Sequence, residues 1–221
     1  MSLHPPCIDI HTHRSGELAD VLSVLNLMAG ECPEPVGTPY YSIGIHPWQL
    51  LQYDVATLKS RMTQDLQRLK PVAIGELGLD RAIPVPLPIQ QEILGWQEQL
   101  ALQYNLPLIH HVVRANDLML ARAKKYPGLV RVIHGFTGKT TEALQYIRAG
   151  FMLSLGAALF DTKRQVAESI KSIPAENLFL ETDESSISIQ EVYARAASLR
   201  NEAEEELRIH IFDNFARIFI R

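Results

Sequence analysis

The sequence predicts an α/β fold, a closed (β/α)8 barrel with shortened outer helices after strands 1 and 2. Three observations lead there. Short apolar runs of strand length alternate with helical stretches, which implies a parallel sheet with helices outside. Eight such runs can be counted, the number that closes a barrel. Six of the eight end in imidazole or carboxylate, at the end where barrels carry their chemistry. An open doubly wound sheet is the alternative, but it calls for a phosphate fingerprint after the first strand. Neither Gly-x-Gly-x-x-Gly nor a Walker sequence is present.

The first strand is Cys7-Ile8-Asp9-Ile10-His11-Thr12-His13. Alternation puts Asp9, His11 and His13 on one face, with Ile8 and Ile10 on the other. Two imidazoles on one face can bind one divalent cation, and Asp9 can orient an imidazole from behind. Arg14 to Asp20 is too short for a crossover helix with its loops. The second strand is 21–27, and a proline- and glycine-rich connection runs from Gly30 to Pro39. The third strand, 40–45, ends in His46-Pro47-Trp48. A helix over 54–70 follows, with Asp54 as N-cap and Val55, Leu58, Met62, Leu66 and Leu69 as its apolar stripe. The fourth strand, 71–76, ends in Glu76, and a loop with three prolines leads to a helix over 89–104. The fifth strand is 106–111, then a helix over 116–126, a sixth strand over 130–134 and a helix over 140–149. The seventh strand is 151–155, a helix covers 161–172, and the eighth strand, 177–182, ends beside Asp183. A short helix near 189–197 precedes a last one over 202–220. There is no repeat, low-complexity tract or linker, so residues 1–221 are expected to form one domain.

The net charge of -4 leaves no overall electrostatic footprint for nucleic acid, though a local basic patch can hide within it. No apolar run reaches the roughly 20 residues that span a bilayer, so no membrane association is expected. The first residues lack the regions of a signal peptide. Cys7 and Cys32 have no metal-type spacing and read as reduced thiols of a cytoplasmic protein.

The strand ends therefore carry His11 and His13, His46, Glu76, His110-His111, His134 and Asp183. Imidazoles with carboxylates suit Zn²⁺ or Mn²⁺, whereas Mg²⁺ prefers oxygen. If two ions bind, a carboxylate must bridge them, and Glu76 is the natural bridge from the middle of the strand order. His110 and His111 are adjacent and face opposite ways, so only one can be a ligand. Glu181 shares a side with Asp183 and can sit behind the ligands or pair with a cation such as Arg114. His4 and His210 lie outside any motif and read as surface residues.

Ordered along the chain, Cys7 to His13, Ile43-Gly44-Ile45-His46-Pro47, Ala73-Ile74-Gly75-Glu76-Leu77-Gly78-Leu79-Asp80, Pro107-Leu108-Ile109-His110-His111, Val132-Ile133-His134-Gly135-Phe136-Thr137-Gly138 and Leu180-Glu181-Thr182-Asp183 resemble the TatD family of metal-dependent deoxyribonucleases. The resemblance covers almost the whole chain. It implies a TIM-barrel hydrolase with one or two divalent ions (Zn, Mn or Mg). It places His11, His13, Glu76 and Asp183 around one ion, and Glu76, His111 and His134 around the other. The family's ligand lies four residues after the proline, which selects His111 over His110. It further implies hydrolysis of DNA phosphodiesters, with Asp183 as general base and His46 contacting the phosphate; a purely structural His46 is the other reading. Two rival functions use the same ligands: an amidohydrolase-type enzyme acting on a small amide, lactone or phosphoester, and a barrel that merely retains metal.

The chain also departs from the family. Glu184-Ser185-Ser186-Ile187-Ser188 has no basic residue where the family usually carries some. Arg14, Arg81 and Arg114 remain as cations near the mouth. About three phosphate contacts give a shallow salt slope, on the order of -2 to -3. The expected DNA partner is therefore single-stranded or short.

Overall fold

Eight strands pair side by side in sequence order, every pair parallel. They are β1 (Cys7–Thr12), β2 (Val21–Met28), β3 (Tyr40–Gly44), β4 (Ala73–Asp80), β5 (Leu108–Val113), β6 (Arg131–Ile133), β7 (Phe151–Leu155) and β8 (Leu178–Leu180). The computed structural model describes residues 5–14, 19–31, 40–162 and 165–220. Just beyond β8, a parallel bridge joins Thr12 to Asp183, and Asp183 N–H donates to His11 C=O at 2.9 Å. That contact brings the last strand back to the first.

Seven α-helices occur among the described residues: α1 (Val55–Leu69), α2 (Leu87–Tyr104), α3 (Asn116–Ala123), α4 (Thr140–Arg148), α5 (Val166–Ser169), α6 (Ile189–Arg200) and α7 (Glu204–Phe219). None of the described residues between β1 and β3 is helical. α1 starts where the sequence places it, because the Asp54 carboxylate accepts from Thr57 N–H at 2.9 Å. Its Leu58, Met62, Leu66 and Leu69 are buried; Val55 is only partly so. Tyr193 of α6, fully buried, donates its hydroxyl hydrogen to Ile8 C=O at 3.2 Å and accepts from Ile8 N–H at 3.0 Å.

Four elements, β4, β5, α5 and α3, depart most from the sequence expectation. β4 and β5 run on past their chemical residues, to Asp80 and Val113, because they stay paired through Gly78↔His111 and Asp80↔Val113. Glu76 thus lies within its strand, where the β4–β5 register shifts between Gly75 and Leu77, rather than at the strand's end. The extended pairing depends on Gly78, where a Cβ would lie 1.8 Å from His111 C=O. The helix expected over 161–172 is broken among the described residues. α5 keeps four residues and passes into a 3-10 turn, Ile170–Ser172. The Ser169 hydroxyl bonds Gly138 C=O and Gln165 C=O, and Pro174 favours extended backbone before it. Helix α3 stops at Ala123, short of the expected 126.

Candidate metal centre

Seven of the eight strand-end groups, all but His110, converge at the C-terminal mouth, with Glu76 as their hub. Glu76 is 5% exposed. Its Oε2 lies 3.5 Å from His11 Nε2 and 3.8 Å from His13 Nε2. Its Oε1 lies 2.8 Å from His111 Nδ1, 2.8 Å from His134 Nε2 and 3.2 Å from His46 Nε2. Asp183 Oδ1 completes the first side, 3.4 Å from His13 Nε2 and 3.6 Å from His11 Nε2. Three overlapping triplets have ligand atoms close enough to share an ion: His11, His13 and Asp183; His11, Glu76 and His134; His46, Glu76 and His111.

Burial pushes the Glu76 carboxyl up, but the charge of His134 and the imidazoles of His11 and His111 outweigh it and hold it well below the usual carboxylate range. Burial likewise pushes Asp183 up, and the contact with His13 and the charges of His11 and His134 bring it down. His13 is raised, chiefly by Asp183. His46 is lowered by burial. Its Nδ1 accepts from Trp48 N–H at 3.2 Å, which leaves the proton of the neutral ring on Nε2, facing Glu76.

The residues fit a divalent cation. Neither ring nitrogen of His11 has a hydrogen-bond partner although the side chain is fully buried. No described lysine or arginine pairs with Glu76 or Asp183. A buried carboxylate, Glu76, and a partly exposed one, Asp183, facing several imidazoles with no cationic side chain among them, are a donor set that a metal ion satisfies.

Two neighbouring residues, Asp9 and Arg81, are placed differently from expectation. Asp9 orients no imidazole; its carboxylate accepts from Thr182 N–H at 2.9 Å and from Thr182 Oγ1–H at 2.7 Å. It ties β1 to the segment that carries Asp183. Glu181 takes the first of its two expected places, behind the ligands, rather than pairing with Arg114. Its Oε1 accepts from Gly135 N–H at 2.7 Å and faces His134 Nδ1 from behind at 3.5 Å. Arg81 is engaged by both carboxylate oxygens of Asp117, at 2.7 and 2.9 Å, which removes it as a phosphate contact. His110 is fully buried beside Phe151, away from the cluster. His210 is exposed. His4 and Cys32 lie outside the described residues; Cys7 is a buried free thiol.

Sequence reasoning missed the residues that hold the mouth rigid. Asp80 accepts from Trp48 Nε1–H at 2.9 Å and lies 3.4 Å from His111 Nε2. From α2, Gln90 donates to Asp80 C=O and accepts from Asp80 N–H, and Gln97 does the same for Ile45. The available signal was a glutamine at 90 and another at 97, seven residues apart on one helix face. Beside His134 opens a cavity of about 580 Å³ that includes Arg114, Asn116, Lys139, Glu142 and Tyr146. Its wall is a chain of hydrogen bonds from Tyr146 to Asn116 to Glu142. Lys139 was not anticipated.

An eight-stranded parallel barrel with imidazoles and carboxylates gathered at its C-terminal mouth is the architecture of a metal-dependent hydrolase. The family described as TatD related DNase matches residues 28–220, and the chain belongs to that family. Among its relatives is YjjV of Escherichia coli K12, described as an uncharacterized metal-dependent hydrolase. It is 29% identical over 199 residues, which cover 81% of this chain and 76% of that protein. The 3'-5' ssDNA/RNA exonuclease TatD of Klebsiella pneumoniae is 32% identical over 166 residues, covering 72% of this chain and 62% of that protein. The crystal structure of YjjV superimposes with a TM-score of 0.81 at 24% identity, over 96% of this chain and 97% of that one. A TatD family hydrolase from Entamoeba histolytica gives 0.78 at 16% identity, over 99% of each chain. Both structural likenesses support the barrel. No helix of the described residues is long and apolar enough to cross a membrane.

Proposed function

We propose that this chain, acting as one hydrolase domain, cleaves phosphodiester bonds of single-stranded or short nucleic acid at the mouth of the barrel. The observation that carries the reading is the placement of Glu76, whose two oxygens face two different sets of imidazoles. His11, His13 and Asp183, with Glu76 Oε2, would hold one ion; Glu76 Oε1, His111 and His134 would hold a second. When bound, divalent ions in such a site polarise a phosphoryl oxygen and make water acidic enough to attack near neutral pH.

The protein's own groups do the rest. Asp183 has a side chain 42% exposed, whereas that of Glu76 is 6% exposed. Asp183 alone of the two can take a proton from water and release it to solvent, and its lowered pKa keeps it ionised for that role. His46 carries its proton on Nε2 and can donate it in a hydrogen bond to a phosphoryl oxygen. Arg114 and Lys139 are exposed in the cavity beside His134, and neither forms an ion pair among the described residues. They can hold a phosphate next to the reacting one. These cations, with no lysine or arginine paired to the site carboxylates, favour a phosphate substrate over an amide or lactone. The Klebsiella relative's description as an ssDNA/RNA exonuclease supports the same choice. A cytoplasmic setting belongs to this reading, supported by the free thiol of Cys7.

The test is release of nucleotides from a single-stranded oligonucleotide in a series of Zn²⁺, Mn²⁺ and Mg²⁺. Release that stops with chelator and is lost in Glu76→Gln is the expected result. No release with any of the three ions would overturn the proposal.

A further inference from the structure

We infer that Trp48 is a nucleobase-binding subsite, a stacking platform for the base beside the reacting phosphate. The inference rests on the phosphodiesterase reading and names how that site would grip its substrate.

Trp48 stands on a 3-10 turn, Pro47–Leu51, directly after His46. It is 52% exposed. A single exposed aromatic is ordinary on a protein surface, so exposure alone decides nothing; position and rigidity do. The indole centroid lies 5.3 Å from the ring of His46 and 6.3 Å from that of His111, edge-on in both cases. Both histidines contact Glu76 Oε1. No described ring stacks parallel on the indole, so these contacts do not use it as a stacking partner.

The indole is also held in place. Its Nε1–H donates to Asp80 Oδ2 at 2.9 Å, and Asp80 is 2% exposed. Ala82 N–H donates to the other oxygen of Asp80 at 2.7 Å, and Gln90 grips the Asp80 backbone at 2.7 and 2.9 Å. The ring is thus fixed before any ligand arrives, and little rotamer freedom is left to lose on binding. A rigid, half-exposed indole within one nucleoside of a phosphate-binding centre suits a purine or pyrimidine face. Stacking tolerates any base, because every base has a π-face. An amide, lactone or simple phosphoester without a flat ring would gain nothing from it.

The experiment compares a trinucleotide with its fully abasic counterpart, on the metal-loaded wild type, Trp48→Leu and Trp48→Phe, reading KM and kcat separately. Loss of one stacked base weakens binding by about 5- to 150-fold. Wild type is expected to show a KM ratio, abasic over base-bearing, in that range. In Trp48→Leu the ratio should collapse toward one, and Trp48→Phe should restore part of it. A second reading follows indole fluorescence in a Trp96→Phe background, where the base-bearing oligonucleotide should quench Trp48 and the abasic one should not. If wild type and Trp48→Leu show the same ratio, the platform is overturned while the nuclease reading stands. If no protein cleaves either oligonucleotide, the nuclease reading falls and takes this one with it. If Trp48→Leu loses kcat on both substrates with an unchanged ratio, Trp48 only braces Asp80 and the inference is wrong.

Discussion

Replacing Glu76 by glutamine keeps its shape and removes its charge. Its Oε2 is within 3.8 Å of the imidazoles of His11 and His13, and its Oε1 within 3.2 Å of those of His46, His111 and His134. Every triplet of ligand atoms either contains Glu76 or borders one of its oxygens, whereas His13, His46, His111 and His134 each belong to a single triplet. Loss of a partner that merely orients a ligand costs about 10- to 100-fold in metal affinity. A shared carboxylate should cost at least that for each ion it faces. If catalysis needs both ions, the losses multiply to about 100- to 10,000-fold in activity, or roughly 3–6 kcal/mol at 1.4 kcal/mol per tenfold. The assay is metal content after equilibrium dialysis, followed by steady-state cleavage of a single-stranded oligonucleotide. His13→Ala and His111→Ala are the comparators, each expected to retain more metal than Glu76→Gln. Metal retention in Glu76→Gln within twofold of wild type would refute the shared role.

His111→Ala should lose metal and activity, while His110→Ala should keep both and lose only stability, on the order of 1–3 kcal/mol in a denaturant titration; the reverse pattern would exchange the two. Asp9→Ala strands the buried Thr182 N–H, so it should lower unfolding free energy by about 1–3 kcal/mol and loosen Asp183; unchanged stability would show that water takes over the role. Burial pushes the Cys7 thiol up to about 11. Its thiolate is suppressed below that pH and appears as pH rises through it, so in a Cys32→Ser protein alkylation of Cys7 should be negligible at neutral pH and complete in denaturant. Fast native alkylation at neutral pH would contradict the burial. Single-strand binding should follow log salt with a slope of about -2, at roughly 0.7 per contact for Arg14, Arg114 and Lys139, with Arg81→Ala leaving it unchanged. A steeper slope that flattens in Arg81→Ala would return Arg81 to the substrate.

The chemistry of the mouth was legible because strand parity and strand order are local rules. They put His11 and His13 on one face and bring groups from β1, β4, β5, β6 and β8 to one end. The partners of those groups were not legible, because they are distant in sequence. Asp9 meets Thr182 across 173 residues, and no spacing rule distinguishes that from an imidazole nearby. Gln90 and Gln97 read as ordinary polar helix positions until the strand ends they clamp are in view. The extension of β4 past Glu76 was hidden for another reason: Gly78 lowers strand propensity, yet it is the residue that allows β5 to approach. Arg81 and Arg114 looked equivalent by charge, and Asp117, the second residue of α3, separates them.

The most direct measurement is anomalous diffraction from crystals equilibrated with Mn²⁺. Two peaks are predicted at the mouth, on opposite sides of the Glu76 carboxylate and about 3.5–4 Å apart, one beside His11, His13 and Asp183 and the other beside His111 and His134. Peaks away from Glu76, or an ion beside His110 with none at the mouth, would contradict the metal centre on which the proposed hydrolysis rests.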